Sequence, residues 1–167
     1  MGRLLPFIIA GLLSGCLGYT IGPVKPTFMK GISRLAVPIF NNDTVEPDVA
    51  ALATTTLIQQ LQQDGTYEIT SLDRADAVVH GTINLVQRAA VRSVVGNVLA
   101  ASEFALYVKV HFVVLNPRTG AVLGTRDING SSSFFVQNDV QTQEHQALPL
   151  AIQDAATQMA SYLSEGW

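Results

Sequence analysis

One thiol, three imidazoles and a run of cations are the groups in this 167-residue chain that could do chemistry. The thiol is Cys16, the only cysteine, so no internal disulfide can form. A thiolate is a strong nucleophile, and Cys16 sits behind the small residues Ser14 and Gly15, at the end of an apolar run that begins after Arg3. The imidazoles belong to His80, His111 and His145. His80 and His111 are spaced to share one face of adjacent strands, but two imidazoles without a third protein ligand make a poor metal site. They read as solvated sheet histidines. Asp73 and Asp76 flank Arg74 and read as turn caps. There is no G-x-S-x-G, no H-E-x-x-H and no phosphate-binding glycine loop. The chain is therefore expected to be no enzyme and to carry no cofactor or metal.

Charge is more informative. The formal net charge is −3, yet between Ala77 and Arg126 five cations (Arg88, Arg92, Lys109, Arg118, Arg126) stand against the single acid Glu103. The remaining chain after residue 15 has Lys25, Lys30, Arg34 and Arg74 against the other twelve acids. A chain polarised in this way can present a basic face to an anionic partner. Nothing suggests nucleic acid as that partner.

The elements that must position these groups follow from periodicity. Hydrophobic residues make up 48% and charged residues 14%, a globular balance. Residues 4–13 are too few to span a bilayer and include Pro6. Leu17-Gly18-Tyr19 to Pro26 has glycines and prolines without apolar periodicity and reads as an extended tether. Ser33–Phe40 is a short strand, with Pro38 marking its end or an edge. Asn41–Thr44 reads as a turn. From Asp48 to Gln63 the residues Val49, Leu52, Ala53, Thr56, Leu57 and Leu61 form one helical stripe, closed by Gly65. Tyr67–Thr70 is a second strand, and the strand–helix–strand order predicts a parallel pair. From Ala77 the period becomes two. Val79, Ile83 and Leu85 are expected on the core face, with His80, Thr82, Asn84 and Arg88 opposite. A connection spans residues 93–102. Phe104, Leu106, Val108, Val110, Phe112 and Val114 then face the core, and Tyr107, Lys109, His111 and Val113 face away. Asn116–Gly120 is a turn, and a last strand runs from Val122 to about Val136. Leu148, Ile152, Ala155, Ala156, Met159 and Leu163 form a closing helix that Pro149 either kinks or begins. The expected fold is an α+β two-layer sandwich, with two helices on one face of a mixed four- to five-stranded sheet.

Two resemblances attach to these residues. Leu13-Ser14-Gly15-Cys16 resembles the lipobox of bacterial lipoproteins. That implies removal of residues 1–15 as a signal peptide, diacylglycerol on the Cys16 thiol, a tether over 16–31 and one domain over 32–167. One acyl chain binds a bilayer marginally, whereas two or three hold firmly. Leu17 after the cysteine resembles the outer-membrane sorting pattern of enteric bacteria.

Cys16-Leu17-Gly18-Tyr19 also resembles the C-x-G-Y start of the lipopolysaccharide-assembly lipoproteins. Val37–Pro47 is similar to that family's V-P-x-F-x-N-x-T-x-E-P segment, and Asp64–Tyr67 and Ala75–Ile83 to its next two blocks. The resemblance implies an outer-membrane lipoprotein, facing the periplasm, that plugs and helps assemble the β-barrel inserting lipopolysaccharide and contacts lipopolysaccharide itself. Activators of cell-wall synthases and secretion-pore lipoproteins begin with a similar strand, but Glu46-Pro47 and Ala75–Gly81 argue against them. A lipid-anchored hydrolase lacks a nucleophile–base pair in this sequence. The functional residues expected are Cys16 for lipidation and Arg88, Arg92, Lys109, Arg118 and Arg126 for lipopolysaccharide. Arg88 and Lys109 are expected on the non-core sheet face, where Val86, Val113 and Leu115 supply apolar surface, with Arg92 and Arg118 toward loops.

Overall fold

The computed structural model describes residues 25–92, 102–136 and 140–166. Cys16 and the lipobox, together with residues 93–101 of the expected connection, lie outside them. The strands are β1 (Arg34–Ala36), β2 (Asn41–Asn42), β3 (Glu68–Ile69), β4 (Ala77–Arg92), β5 (Ser102–Leu115) and β6 (Val122–Val136). The helices are α1 (Val49–Asp64) and α2 (Val140–Glu165), with 3-10 turns at Thr27–Met29 and Leu72–Arg74. The sheet order is β3-β1-β4-β5-β6. β1 pairs in parallel with β3, as the strand–helix–strand order predicts, and on its other side in parallel with β4. β4, β5 and β6 form an antiparallel meander. Both helices pack on one face, so the mixed two-layer α+β sandwich is as expected.

The turn expected at Asn41–Thr44 is in part a strand. β2 continues the line of β1 along β4, where Asn41 opposes Thr82. Ala36 opposes Val78, so β1 and β2 use one residue more than β4 over this stretch. Pro38, which has no N–H to give a ladder, lies in that irregularity. Phe40 then turns inward and packs across Gly81, where any Cβ would overlap its ring. The Phe40 N–H donates to Thr54 Oγ1 at 3.0 Å, and Thr54 Oγ1 donates to the Ala50 carbonyl at 2.7 Å. That pairing satisfies one of the few buried polar side chains.

α1 buries Val49, Ala53, Leu57 and Leu61. Gly65 ends it in the left-handed region (φ 72°), its N–H bonding the Leu61 carbonyl. α2 buries Ile152, Ala155, Ala156, Met159 and Leu163. It begins nine positions before Pro149, so Pro149 lies inside the helix rather than at its start. Leu57, Leu61, Ile152 and Met159 share one core with Val108, Val110 and Phe112. Leu106 belongs instead to a smaller core with Phe134 and Ala147 under the first turns of α2.

α2 reaches β6 at close range. A Cβ on Gly130 would overlap the Ala151 carbonyl oxygen. Along that edge the Asp154 carboxylate accepts from Ser131 N–H at 2.9 Å, and Gln158 Nε2 donates to the Asn129 carbonyl at 3.1 Å.

Residues 25–31, expected within the tether, pack on the domain. Met29 is fully buried, and Phe28 stacks on Tyr162 with ring centroids 5.0 Å apart. Lys25 Nζ donates to the Ile32 carbonyl at 2.6 Å and lies 4.5 Å from the centre of the Tyr67 ring. Burial, and then the nearby Asp64 carboxylate, push the Tyr67 phenol up to about 12.

Candidate functional site

The expected site groups are carried by the meander and its turns, and a β-bulge decides where they point. Along β4 the register moves between Ile83 and Leu85, leaving Asn84 as the extra residue. A bulge of one residue reverses the facing of everything beyond it. Leu85, expected in the core, is 41% exposed, while Val86 packs against the core instead. Arg88 follows Val86 and opposes the buried Leu106, so it stands on the helix-bearing face. Its Nη1 lies 2.6 Å from Glu144 Oε2 of α2, and its guanidinium carbon is 5.6 Å from the centre of the Phe104 ring. The expectation that Arg88 and Val86 share the outer face is thus overturned by one inserted residue.

Beside this pair runs a groove of about 260 Å³, lined by Glu46, Val86, Leu106, Glu144, His145 and Leu148. Its floor is apolar sheet and its walls come from α2 and from the loop before α1. Asn42 shapes that loop: its Nδ2 donates to the Glu46 carbonyl, and its Oδ1 accepts from Thr44 N–H and Oγ1.

Lys109 does occupy the outer face, opposite Leu85. Its Nζ is 3.6 Å from Asp127 Oδ2, and His111 Nδ1 is 2.7 Å from Asp127 Oδ1. The hydrogen bond from His111, with the charge of Lys109, holds the Asp127 carboxyl below the usual carboxylate range. Tyr107, 43% exposed, stands on the same face two residues away. Arg126 opposes Phe112 on the helix face, where its guanidinium carbon lies 4.6 Å from the centre of the Tyr162 ring. Arg118 is exposed in the turn between β5 and β6, where Asn116 Oδ1 accepts from the N–H groups of Arg118 and Thr119. The backbone of Arg92 lies opposite Glu103.

The structure therefore does not gather the cations into one face. Arg88 and Arg126 stand on the helix side, Lys109 on the outer side and Arg118 at a turn. His80 and His111 share the outer face, but His111 is engaged by Asp127. Among the described residues no group of three histidines, cysteines, aspartates or glutamates could hold a metal ion. Missed from the sequence were the Arg88–Glu144 groove and the loop ordered by Asn42. The adjacent apolar residues Leu85 and Val86 were the available sign that the alternation breaks there.

The model of a family described as lipopolysaccharide-assembly, LptE, matches residues 32–163, which is nearly all of this two-layer domain. The chain belongs to the lipopolysaccharide-assembly family. No curated protein sequence matches it. Solved structures share the fold at low identity. A neuraminyllactose-binding hemagglutinin homologue from Helicobacter pylori is 14% identical, with a TM-score of 0.58 over 87% of this chain and 89% of that one. A minor lipoprotein from Acinetobacter baumannii is 18% identical, with a TM-score of 0.51 over 80% of this chain and 93% of the other. The PelC dodecamer from Paraburkholderia phytofirmans is 16% identical, with a TM-score of 0.51 over 84% and 93% respectively. The family member described here has no helix among the described residues long and apolar enough to cross a membrane.

Proposed function

We propose that this protein is a non-enzymatic lipoprotein of the outer membrane. It is held there through Cys16, faces the periplasm, and acts as plug and assembly partner of the β-barrel that inserts lipopolysaccharide. The observation carrying this reading is the family match over residues 32–163. Support also comes from the two faces of the sheet. The helices cover one, while the other presents Leu85, Tyr107 and Lys109 side by side. A lipid A phosphate beside its acyl chains calls for a cation flanked by apolar side chains. Those three residues meet that need side by side, whereas Arg88, Arg118 and Arg126 stand elsewhere, and the three are the lipopolysaccharide contact in this reading.

Purification of the lipoprotein from outer membranes tests the partner. A large β-barrel should copurify, and a peptidoglycan synthase in its place would select the synthase-activator reading. For the ligand, the combined variant Leu85→Ser, Tyr107→Ser and Lys109→Glu should weaken lipopolysaccharide binding and leave the remaining binding less sensitive to salt. Binding as tight as wild type at low salt would remove the outer face from the reading.

A further inference from the structure

The end of the domain at which the chain enters from the amino-terminal side carries a cleft that the reading above does not use. It encloses about 250 Å³ and is lined by Lys30, Gly31, Ile32, Asp76, Asn116 and Arg118. We propose that this cleft docks the domain on the membrane that holds its anchor, by taking the phosphate of an anionic phospholipid headgroup.

Three observations carry the inference, which rests on the anchoring at Cys16 proposed above. The first is charge. Asp76, the one acid in the lining, is already held by Arg34, with Nη2 at 2.8 Å from Oδ1 and the Arg34 N–H at 3.0 Å from Oδ2. Lys30 and Arg118 have no ionic partner among the described residues. Two cations therefore face one opening whose acid is neutralised, and Arg118 offers the two-pronged donor geometry that a phosphate accepts. Asn116 uses its side-chain oxygen on the turn backbone, which leaves its amide nitrogen as a further donor.

The second is position. Lys25 follows Cys16 by nine positions. Even a fully extended chain of that length spans only about 30 Å. Lys25 is fixed to Ile32 and Tyr67, so the anchor confines this end of the domain to the neighbourhood of the bilayer. The third is apolar surface. Val122, 62% exposed, follows the Arg118 turn at the start of β6. An aliphatic side chain beside cations is what the interfacial zone of an anionic leaflet accepts.

The test uses the purified lipoprotein with its anchor intact, carrying Val122→Cys. The native cysteine is acylated, so the new thiol alone takes an environment-sensitive fluorophore. The protein is reconstituted on vesicles of phosphatidylcholine, or of phosphatidylethanolamine doped with phosphatidylglycerol. Flotation on both vesicle types reports the anchor independently of the cleft. On anionic vesicles the label should shift to apolar emission and resist an aqueous quencher, and high salt should reverse the change. The double variant Lys30→Glu, Arg118→Glu should float and unfold as the parent does, yet lose the shift. Each cation should account for roughly a fivefold change in the docking equilibrium constant. A label at Val45→Cys, in the 97% exposed position at the opposite end of α1, should stay water-like throughout. A Val122 label indifferent to vesicle charge, or a full shift in the double variant, would overturn the docking. Failure to float on phosphatidylcholine would instead remove the anchor, and with it the positional argument.

Discussion

At the residue scale, close approaches set the tolerances. Gly130 lets α2 lie directly on β6, so Gly130→Ala forces helix and sheet apart and should cost about 1–3 kcal/mol, read by chemical denaturation. Leu57 is fully buried between the layers. Leu57→Ala should cost about 2–5 kcal/mol through the cavity left behind. Val110→Asp should be worse, because it places an unpaired carboxylate in the same core. Unchanged thermal unfolding in both would contradict the core described here. Among the carboxylates, Asp76 has the largest pH signature. The Arg34 guanidinium that donates to it pulls its carboxyl down to about 2 from an ordinary 3.8. A carboxyl depressed in the folded state adds stability that is complete above its unfolded pKa. That stability drains away as pH falls from about 4 toward 2. Asp76→Asn should flatten the acid limb of the stability–pH curve in that interval and leave the neutral region parallel to wild type.

At the element scale, the bulge at Asn84 is the feature with the longest reach. Deleting Asn84 should remove the bulge yet leave Leu85 outside and Val86 and Arg88 on the helix face, because the residue that then follows the inward Ile83 points outward. The Arg88–Glu144 pair, part-exposed, should show a coupling of about 0.2–1 kcal/mol in a double-mutant cycle, on the natural chain and on the deletion alike, and its loss on the deletion would contradict this placement of the bulge. The same bulge explains what could be read in advance. Up to Ile83, alternation places every residue of β4 on its observed face, and the β5 pattern holds throughout the strand. From Leu85 to Ala90, where a second register shift follows, the rule gives the inverse answer, because a period of two carries no memory of an inserted residue. β2 escaped notice because two asparagines have turn chemistry, and only their pairing with Thr82 and Ile83 makes them a strand. Pro149 left open a kink or a helix start, and the helix runs through it, with Ala147 and Ala151 buried on either side. The site was less legible than the fold for the same reason. Counting cations between Ala77 and Arg126 measures a stretch of chain, whereas a ligand meets a face, and the turn and the bulge distribute one stretch over several faces.

At the scale of the whole molecule, the anchor and the domain make separable predictions. Cys16→Ala should abolish incorporation of radiolabelled palmitate and leave a larger, uncut precursor, while the domain of residues 32–163 keeps its fold. Palmitate entering the variant would contradict attachment at that thiol. Under the proposed function, the domain should in turn remain competent to bind the β-barrel partner when supplied without acyl chains, at reduced occupancy, since an anchor raises local concentration and adds no contact. Pull-down by the barrel of unacylated domain at high concentration, but not at low, is the expected pattern.

The hydrogen bonds from Asp154 and Gln158 onto β6 have a consequence for how this chain can meet other β-proteins. A long edge strand is a template on which a neighbouring strand can grow. Here the middle of that template is occupied from within, by side chains of the helix laid over it. A partner is thereby steered to side-chain surfaces, and strand addition along β6 is disfavoured. The substitution Asp154→Ala with Gln158→Ala should leave the core intact while reopening the edge, and accelerated thioflavin-positive assembly would be the measure. With the anchoring proposed above this matters doubly, because an anchored population is crowded into two dimensions, where a chain that could polymerise through its edge would meet copies of itself far more often than in solution.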